Sequence, residues 1–273
     1  MSDPILSVHG LNAGYGDFQA LFGIDLALAE GSLLGLVGAN GAGKSTLFKA
    51  ILGLLPRGRE AVTFAGQPIG HLRPEAMLRL GLALVPEGRR LFRSLSVEEN
   101  LQLAAQGGRR GDWTVERVFD LFPALREKRH SPSQSLSGGQ QQMVSIGRAL
   151  VANPRVILFD EVSLGLAPII VNDVYAALPA ILQSGISAIV VEQDIERVRR
   201  MADTLEFSNV ALPKARFSQA LVDELRRDCP SLLEEDENEI VIRHAYIERR
   251  MKPLNLYLDS ADEERRDAAV KEY

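Results

Sequence analysis

The chain has 273 residues, 46% of them hydrophobic and 25% charged, with a formal net charge of −5 and a mean hydropathy near zero. That balance excludes disordered and fibrous chains and leaves room for one large α/β domain or two modest ones, each with its own core. The sole cysteine, Cys229, excludes an internal disulfide and a cysteine-cage metal site, and fits a reducing compartment.

Residues 1–200 hold 19 acids and 20 bases, whereas residues 201–273 hold 17 acids and 11 bases, so the acidity lies in the tail. No strong positive field follows, which speaks against a nucleic-acid partner. The run Glu234-Glu235-Asp236-Glu237 reads as a solvated turn. The N-terminus, MSDPILSVHG, lacks a basic segment followed by an apolar core, so no signal peptide is expected. The most apolar long stretch, Val174 to Val191, is interrupted by Pro179, Gln183, Ser184 and Gly185 and is too short to span a bilayer.

Apolar runs alternate with helical patterns over the first two hundred residues, which argues for α/β layering. Strands are expected at Leu33 to Val37, Ala61 to Ala65, Leu82 to Val85, Val156 to Asp160 and Ile186 to Val191. The last two are apolar on both faces, as interior parallel strands are. A helix begins near Lys44 and continues over Leu47 to Leu54. Residues 95–150 turn helical, with Ser96 as N-cap and Glu98 and Glu99 in the first turn, so an inserted helical subdomain is expected. Gln106 to Asp112 is a glycine-rich loop within it.

Residues 38–46 read GANGAGKST, the pattern GxxxxGK[ST] between a strand and a helix. Gly38, Gly41 and Gly43 allow the backbone, Asn40 included, to wrap phosphates so that N–H groups and a helix N-terminus face the anion. Lys44 supplies charge for the β- and γ-phosphates of a nucleotide, Ser45 a hydroxyl for Mg²⁺, and Thr46 continues the cradle. Average residue frequencies give a chance match of roughly one in a hundred for a chain of this length. VILFDE at 156–161 supplies the acidic strand such a site needs: Asp160 for Mg²⁺, Glu161 to polarise the attacking water. Two adjacent acids at a strand end also fit an ordinary cap; the phosphate loop ahead of them favours the nucleotide reading.

Between these elements lies LSGGQQQ, Leu136 to Gln142, opening a helix through Ile146 and Leu150. Here the chain resembles the ABC-type ATPases. The resemblance implies that Ser137, Gly138 and Gly139 clasp the γ-phosphate of ATP bound to a second subunit, which a helix N-terminus with a hydroxyl suits physically. It further implies that Tyr15, in AGYG, stacks on adenine, and that Glu87, in LVPEG, stands where many relatives have a Mg²⁺-contacting glutamine. Ser163-Leu164-Gly165-Leu166 matches the loop between subunits, and Gln193, in VVEQD, stands where most relatives sense the γ-phosphate with histidine. A glutamine amide donates without titrating. Together VPEGRRLF, VEENL, LSGGQQQM, DEVSLGLAP and VEQ resemble the second ATPase subunit of branched-chain amino-acid importers, over residues 5 to about 195.

After Asp194 the resemblance changes. RMADTLEFSNVALPKARF, IVIRHAYIERRM and PLNLYL resemble the isocitrate dehydrogenase kinase/phosphatase family over about 197–273, from a region ahead of that family's catalytic loop. Phe217 to Asp228 reads as an amphipathic helix, Glu239 to Tyr246 as a strand and Leu258 onward as a charged helix, and His244 reads as structural. The junction near Glu196 falls where the sheet's next strand belongs. Thr204 to Val210 is the segment positioned to supply it, with weaker packing expected.

The expected architecture is therefore α/β: a P-loop NTPase of the ABC ATPase kind over 1–196, with its helical subdomain, then an α+β fragment over 197–273. The expected activity is Mg²⁺-dependent ATP hydrolysis, with Lys44, Glu161 and Gln193 catalytic. The expected partners are a second ATPase subunit, identical or not, and membrane permease subunits. The chain would then lie in the cytoplasm against the inner face of the cell membrane, held there through those partners. The alternatives are a soluble ABC-type ATPase of repair or translation, a chimeric chain that binds ATP without productive transport, and a kinase/phosphatase-related interaction module. The first usually carries long coiled-coil insertions or two cassettes, and neither is present in the sequence.

Overall fold

A computed structural model describes residues 3–38, 41–194, 197–198, 201–213, 233–235 and 239–248, with side chains described up to Asp203. Asn40, Glu196, Cys229, Asp236 and Glu237 lie outside the described residues, as do the helices expected over Phe217 to Asp228 and from Leu258 onward.

The larger sheet has the order β10-β11-β9-β3-β8-β7-β6. Its strands are β3 (Leu33–Gly38), β6 (Leu82–Val85), β7 (Val156–Asp160), β8 (Ser187–Glu192), β9 (Thr204–Pro213), β10 (Leu233–Glu235) and β11 (Glu239–Glu248). The pairs β9-β3, β3-β8, β8-β7 and β7-β6 are parallel, and β11 pairs antiparallel with both β9 and β10. The central strands read as unbroken apolar runs because each face meets a different core. Leu33 and Val37 of β3, Ile157 and Phe159 of β7, and Ala188 and Val190 of β8 join the core that also takes in Leu101, Val144 and Ile181. Leu34 and Leu36, Val156 and Leu158, and Ile189 and Val191 join the opposite core. Alternation along each strand thus fills two layers at once.

The second core is closed by a smaller antiparallel sheet, β2-β1-β4-β5, made of β1 (Leu6–Tyr15), β2 (Phe18–Leu28), β4 (Val62–Phe64) and β5 (Gln67–Pro68). Only β4 was expected from the sequence. The β1-β2 pairing shifts register between Val8 and Leu11, Leu11 and Ala13, and Ala13 and Gly14, and each shift resets which face the side chains take. No sustained two-residue period survives in the sequence. Gly14 is required where the strands close, since a Cβ there would stand 2.2 Å from the Phe18 carbonyl oxygen.

Helix α1 (Lys44–Ile51) ends three residues before Leu54, with Gly53 just beyond at φ 76°. The short α2 (Pro74–Leu80), not expected from the sequence, opens on proline and stops at Gly81 with φ 106°. The helical subdomain comprises α3 (Val97–Gly107), α4 (Val115–Leu121), α5 (Pro123–Arg126) and α6 (Gly138–Leu150). As expected, Ser96 caps α3, in a reciprocal capping box with Glu99. Helices α7 (Pro168–Ala176) and α8 (Leu178–Gln183) lead back to β8.

Beyond the change of resemblance near residue 196 the sheet continues. β9 pairs with β3 from Leu34↔Thr204 to Gly38↔Ser208, so the expected edge strand is supplied by the second segment. The strand expected at Glu239 to Tyr246 is β11, which runs two residues further and brings the His244 backbone opposite Ser208.

Candidate nucleotide site

β3 ends at Gly38 and α1 begins at Lys44, so the glycine-rich loop joins the carboxyl end of a parallel strand to a helix N-terminus. Gly43 has φ 91°, and a Cβ there would also stand 2.8 Å from Leu21 Cδ2, so the turn needs glycine on both counts. Gly41 likewise sits at φ 83°. Helix α1 opens on Gly43 without a side-chain cap, the arrangement in which helix N–H groups suit an anion. The buried Lys44 ammonium arches back over the loop, donating to the Gly38 carbonyl oxygen at 2.7 Å and lying 3.3 Å from Glu161 Oε1.

The parallel register sets Asp160 beside Val191, bringing the ends of β7 and β8 together. Glu161 follows with φ 46°, a left-handed backbone that costs a non-glycine residue about 1–2 kcal/mol. Its N–H donates to the Val191 carbonyl oxygen at 3.1 Å, and its Oε2 accepts from Gln193 Nε2 at 2.9 Å. Ser45 Oγ donates to Asp160 Oδ1 at 2.9 Å. Burial pushes the Asp160 carboxyl above its ordinary range; the Ser45 hydrogen bond opposes this, and the charges of Glu161 and Glu87 add to it. Hard oxygen donors, the buried Asp160 carboxylate beside the half-buried Ser45 hydroxyl, suit Mg²⁺, which takes one or two protein oxygens and completes its shell from phosphate and water.

Tyr15 lies against α1. Its hydroxyl lies 3.3 Å from Thr46 Oγ1 and accepts from Lys49 Nζ at 3.1 Å, and the Lys49 ammonium also sits 5.4 Å from the ring centroid. The hydrogen bonds with Thr46 and Lys49, and the lysine's charge, hold the hydroxyl below the usual phenol range. The ring remains 45% exposed, a flat surface beside the phosphate loop.

Direct contacts thus join Lys44, Glu161 and Gln193, pair Ser45 with Asp160, and connect Thr46 with Tyr15. Ser137, Gly138 and Gly139 stand instead at the start of α6. Ser137 Oγ accepts from the Gln140 N–H at 3.2 Å while Gln140 Oε1 accepts from the Ser137 N–H at 3.1 Å, a capping box. A Cβ on Gly138 would lie 3.2 Å from an Arg89 guanidinium nitrogen, and one on Gly139 only 2.2 Å from Ile170 Cγ2 of α7.

Several supporting residues escaped the sequence reading. Lys49 fixes Tyr15 from the last turn of α1, five residues after Lys44. Asn100, fully buried in α3, accepts from the Phe92 N–H at 3.0 Å and donates to Phe92, Leu95 and Ser96 carbonyl oxygens and to Ser133 Oγ. It fixes the segment that follows Glu87, and its one signal was an amide in the VEENL run. Arg89 and Arg90 both have positive φ, 64° and 46°. Their carbonyl oxygens are held from α6 by Ser145 Oγ and Arg148 Nη1.

The ABC transporter family model matches residues 21–163, just over half the chain. The high-affinity branched-chain amino acid transport ATP-binding protein BraG of Pseudomonas aeruginosa is 37% identical over 201 residues, covering 73% of this chain and 86% of that protein. A probable branched-chain amino acid transport ATP-binding protein, LivF, of Archaeoglobus fulgidus is 33% identical over 196 residues, covering 71% and 83%. Among solved structures, a nucleotide-free ATP-binding cassette from an ABC transporter matches with a TM-score of 0.66 and 27% identity, over 75% of this chain and 87% of that one. The Clostridium perfringens cbiO1, part of an ABC transporter complex, matches with a TM-score of 0.67 and 28% identity, over 84% and 97%. Fold and site define a nucleotide-binding ATPase cassette, and the chain belongs to the ABC transporter ATP-binding family. Residues 183–273 are in addition similar to the isocitrate dehydrogenase kinase/phosphatase (AceK) kinase domain. That match begins ahead of β8, earlier than the change near residue 197 read from the sequence. Among the described residues no helix is long and apolar enough to cross a membrane.

Proposed function

We propose that the chain binds ATP with Mg²⁺ and hydrolyses it as the motor subunit of an importer for branched-chain amino acids. The observation that carries this reading is the contact between Lys44, Glu161 and Gln193 at adjoining strand ends, beside the Ser45–Asp160 pair. Tyr15 stacks on adenine. The backbone from Gly38 through Asn40, Gly41 and Gly43 to Thr46 wraps the phosphates, and Lys44 neutralises their charge. Ser45 and Asp160, with Glu87 nearby, would hold Mg²⁺, which supplies charge stabilisation to the transferred phosphoryl group. Glu161 accepts the proton of the attacking water, and the Gln193 amide keeps its carboxylate aimed. Lys44 stands 3.3 Å from Glu161, so a phosphate that draws the ammonium toward itself leaves the carboxylate available to the water.

Two subunits close on two nucleotides, each offering Ser137, Gly138 and Gly139 to the other's phosphate. The dimer works against permease subunits at the cytoplasmic face of the membrane. The named relatives support the amino-acid assignment. The change of resemblance after residue 196 marks a change of ancestry within one folding unit, supported by the pairing of β9 with β3.

ATP turnover by the purified chain, with Mg²⁺ and with chelator, tests the reading beside Glu161→Gln. Removing the general base costs about 100- to 10,000-fold in turnover while ATP binding persists, and ATP then traps the dimer. Equal turnover by wild type and Glu161→Gln would overturn it.

A further inference from the structure

Glu192, the last residue of β8, is 3% exposed, and its carboxylate has none of the roles assigned above. Both oxygens are engaged. Ser163 donates twice, its N–H to Oε1 at 3.2 Å and its hydroxyl to Oε2 at 2.7 Å, and the Tyr175 hydroxyl of α7 donates to Oε1. Burial and the Glu192 charge push the Tyr175 hydroxyl far above the usual phenol range, keeping it a donor. The Arg197 guanidinium, paired with Asp194 at 3.2 Å, lies over the Tyr175 ring at 5.6 Å and brings positive charge to the same corner.

A buried carboxylate is costly unless its acceptor sites are filled, and among the described residues its donors come from the stretch between Ser163 and Tyr175. Ser163 begins the loop that reaches α7, Tyr175 lies in the helix after that loop, and exposed Leu164 and Gly165, at φ 70°, form its crest. The residue that follows the end of β8 is Gln193, whose amide holds Glu161. Successive side chains leave a strand end on opposite sides. Two adjacent residues therefore grip two different things, the loop through Glu192 and the general base through Gln193.

We propose that Glu192 is a positioning residue that ties the Ser163–Ala167 loop to the Glu161–Gln193 pair, so that hydrolysis follows the position of that loop. This role rests on the ATPase reading above. Movement of the loop pulls on the strand end through the two Ser163 hydrogen bonds, with Tyr175 tying the helix that follows to the same carboxylate, and Gln193 carries that movement to Glu161. A shift of about 1 Å at a general base is enough to change a rate by about 100-fold.

The test is steady-state ATP turnover by the full chain carrying Glu192→Gln, Tyr175→Phe or Ser163→Ala, with melting temperatures and amide hydrogen exchange across the loop. For Glu192→Gln the expected result is a fall in kcat of about ten-fold or more with KM within about three-fold, and faster exchange at residues 163–167. Tyr175→Phe, which removes one donor, gives a smaller fall in kcat of about two- to five-fold at unchanged KM. A purely structural residue would lower the melting temperature without this split. Folded Glu192→Gln protein with wild-type kcat overturns the proposal. Should that variant fail to fold, unchanged kcat in both Tyr175→Phe and Ser163→Ala overturns it equally. A wild-type chain without turnover overturns the ATPase reading instead, and is seen before any variant is compared.

Discussion

Leu33 and Asp203 exchange two hydrogen bonds: the Leu33 N–H donates to Asp203 Oδ2 at 2.8 Å, and the Asp203 N–H donates to the Leu33 carbonyl oxygen at 2.9 Å. One residue thus docks the second segment onto the buried strand β3 and starts the register of β9. Without that segment β3 would present a bare, wholly apolar edge, a template for association with other chains. A chain ending at Ile195 is therefore expected to aggregate or to melt well below the full chain, as light scattering and calorimetry would read. Asp203→Ala, which keeps the strand but loses the side-chain acceptor, should cost about 1–2 kcal/mol in urea unfolding. A truncated chain that stays monomeric with an unchanged melting temperature would count against the edge-strand role.

Gly139 and Ile170 meet where α6 faces α7, and a methyl group on Gly139 would overlap Ile170 Cγ2. Gly139→Ala should destabilise the chain by about 1–3 kcal/mol through overpacking. Trimming the opposing side chain as well, in Gly139→Ala with Ile170→Ala, should restore part of the loss. A double variant no more stable than Gly139→Ala would place the glycine's importance elsewhere.

Asp160 is held above its ordinary pKa of 3.8 chiefly by burial. A carboxyl raised in the folded state contributes stability that is present below about pH 3.8 and lost as pH rises through the raised value. Near neutral pH the ionised group weighs against the nucleotide-free fold. Asp160→Asn is thus expected to raise the melting temperature at pH 7 and to show a shrinking advantage toward pH 4. The same variant should lose Mg²⁺-dependent turnover. A variant less stable than wild type at pH 7 would contradict the burial argument.

Tyr15 presents an exposed ring anchored at its hydroxyl by Lys49 and Thr46. If adenine stacks there, Tyr15→Ala weakens ATP about three- to ten-fold, while Tyr15→Phe stays near wild type. Titration of a fluorescent ATP analogue would measure both. Equal weakening by Phe and Ala would shift the weight from the ring to the hydroxyl.

The parallel core was legible because strands buried on both faces must be apolar at every position, and LLGLV and VILF have no other use. The phosphate loop and acidic strand were legible because their chemistry needs fixed residue types at fixed spacing. Strands β1 and β2 were not, since bulges at Leu11 and Ala13 break the period that betrays a strand. Asn100, Lys49 and Glu192 were missed for another reason: an amide, an amine and a carboxylate are ordinary surface residues until a fold buries or aims them.

By itself the sequence singled out Lys44, Ser45, Asp160, Glu161 and Gln193 as candidate site residues and showed the two family resemblances that meet in one chain. Local spacing suffices for a phosphate loop, because its glycines and lysine act within one turn of backbone. Only the tertiary structure decided that Gln193 bonds Glu161 across thirty-two positions, that Glu192 grips Ser163, and that the second segment completes the first one's sheet. Those contacts depend on which strand ends lie side by side, and the parallel register alone sets that.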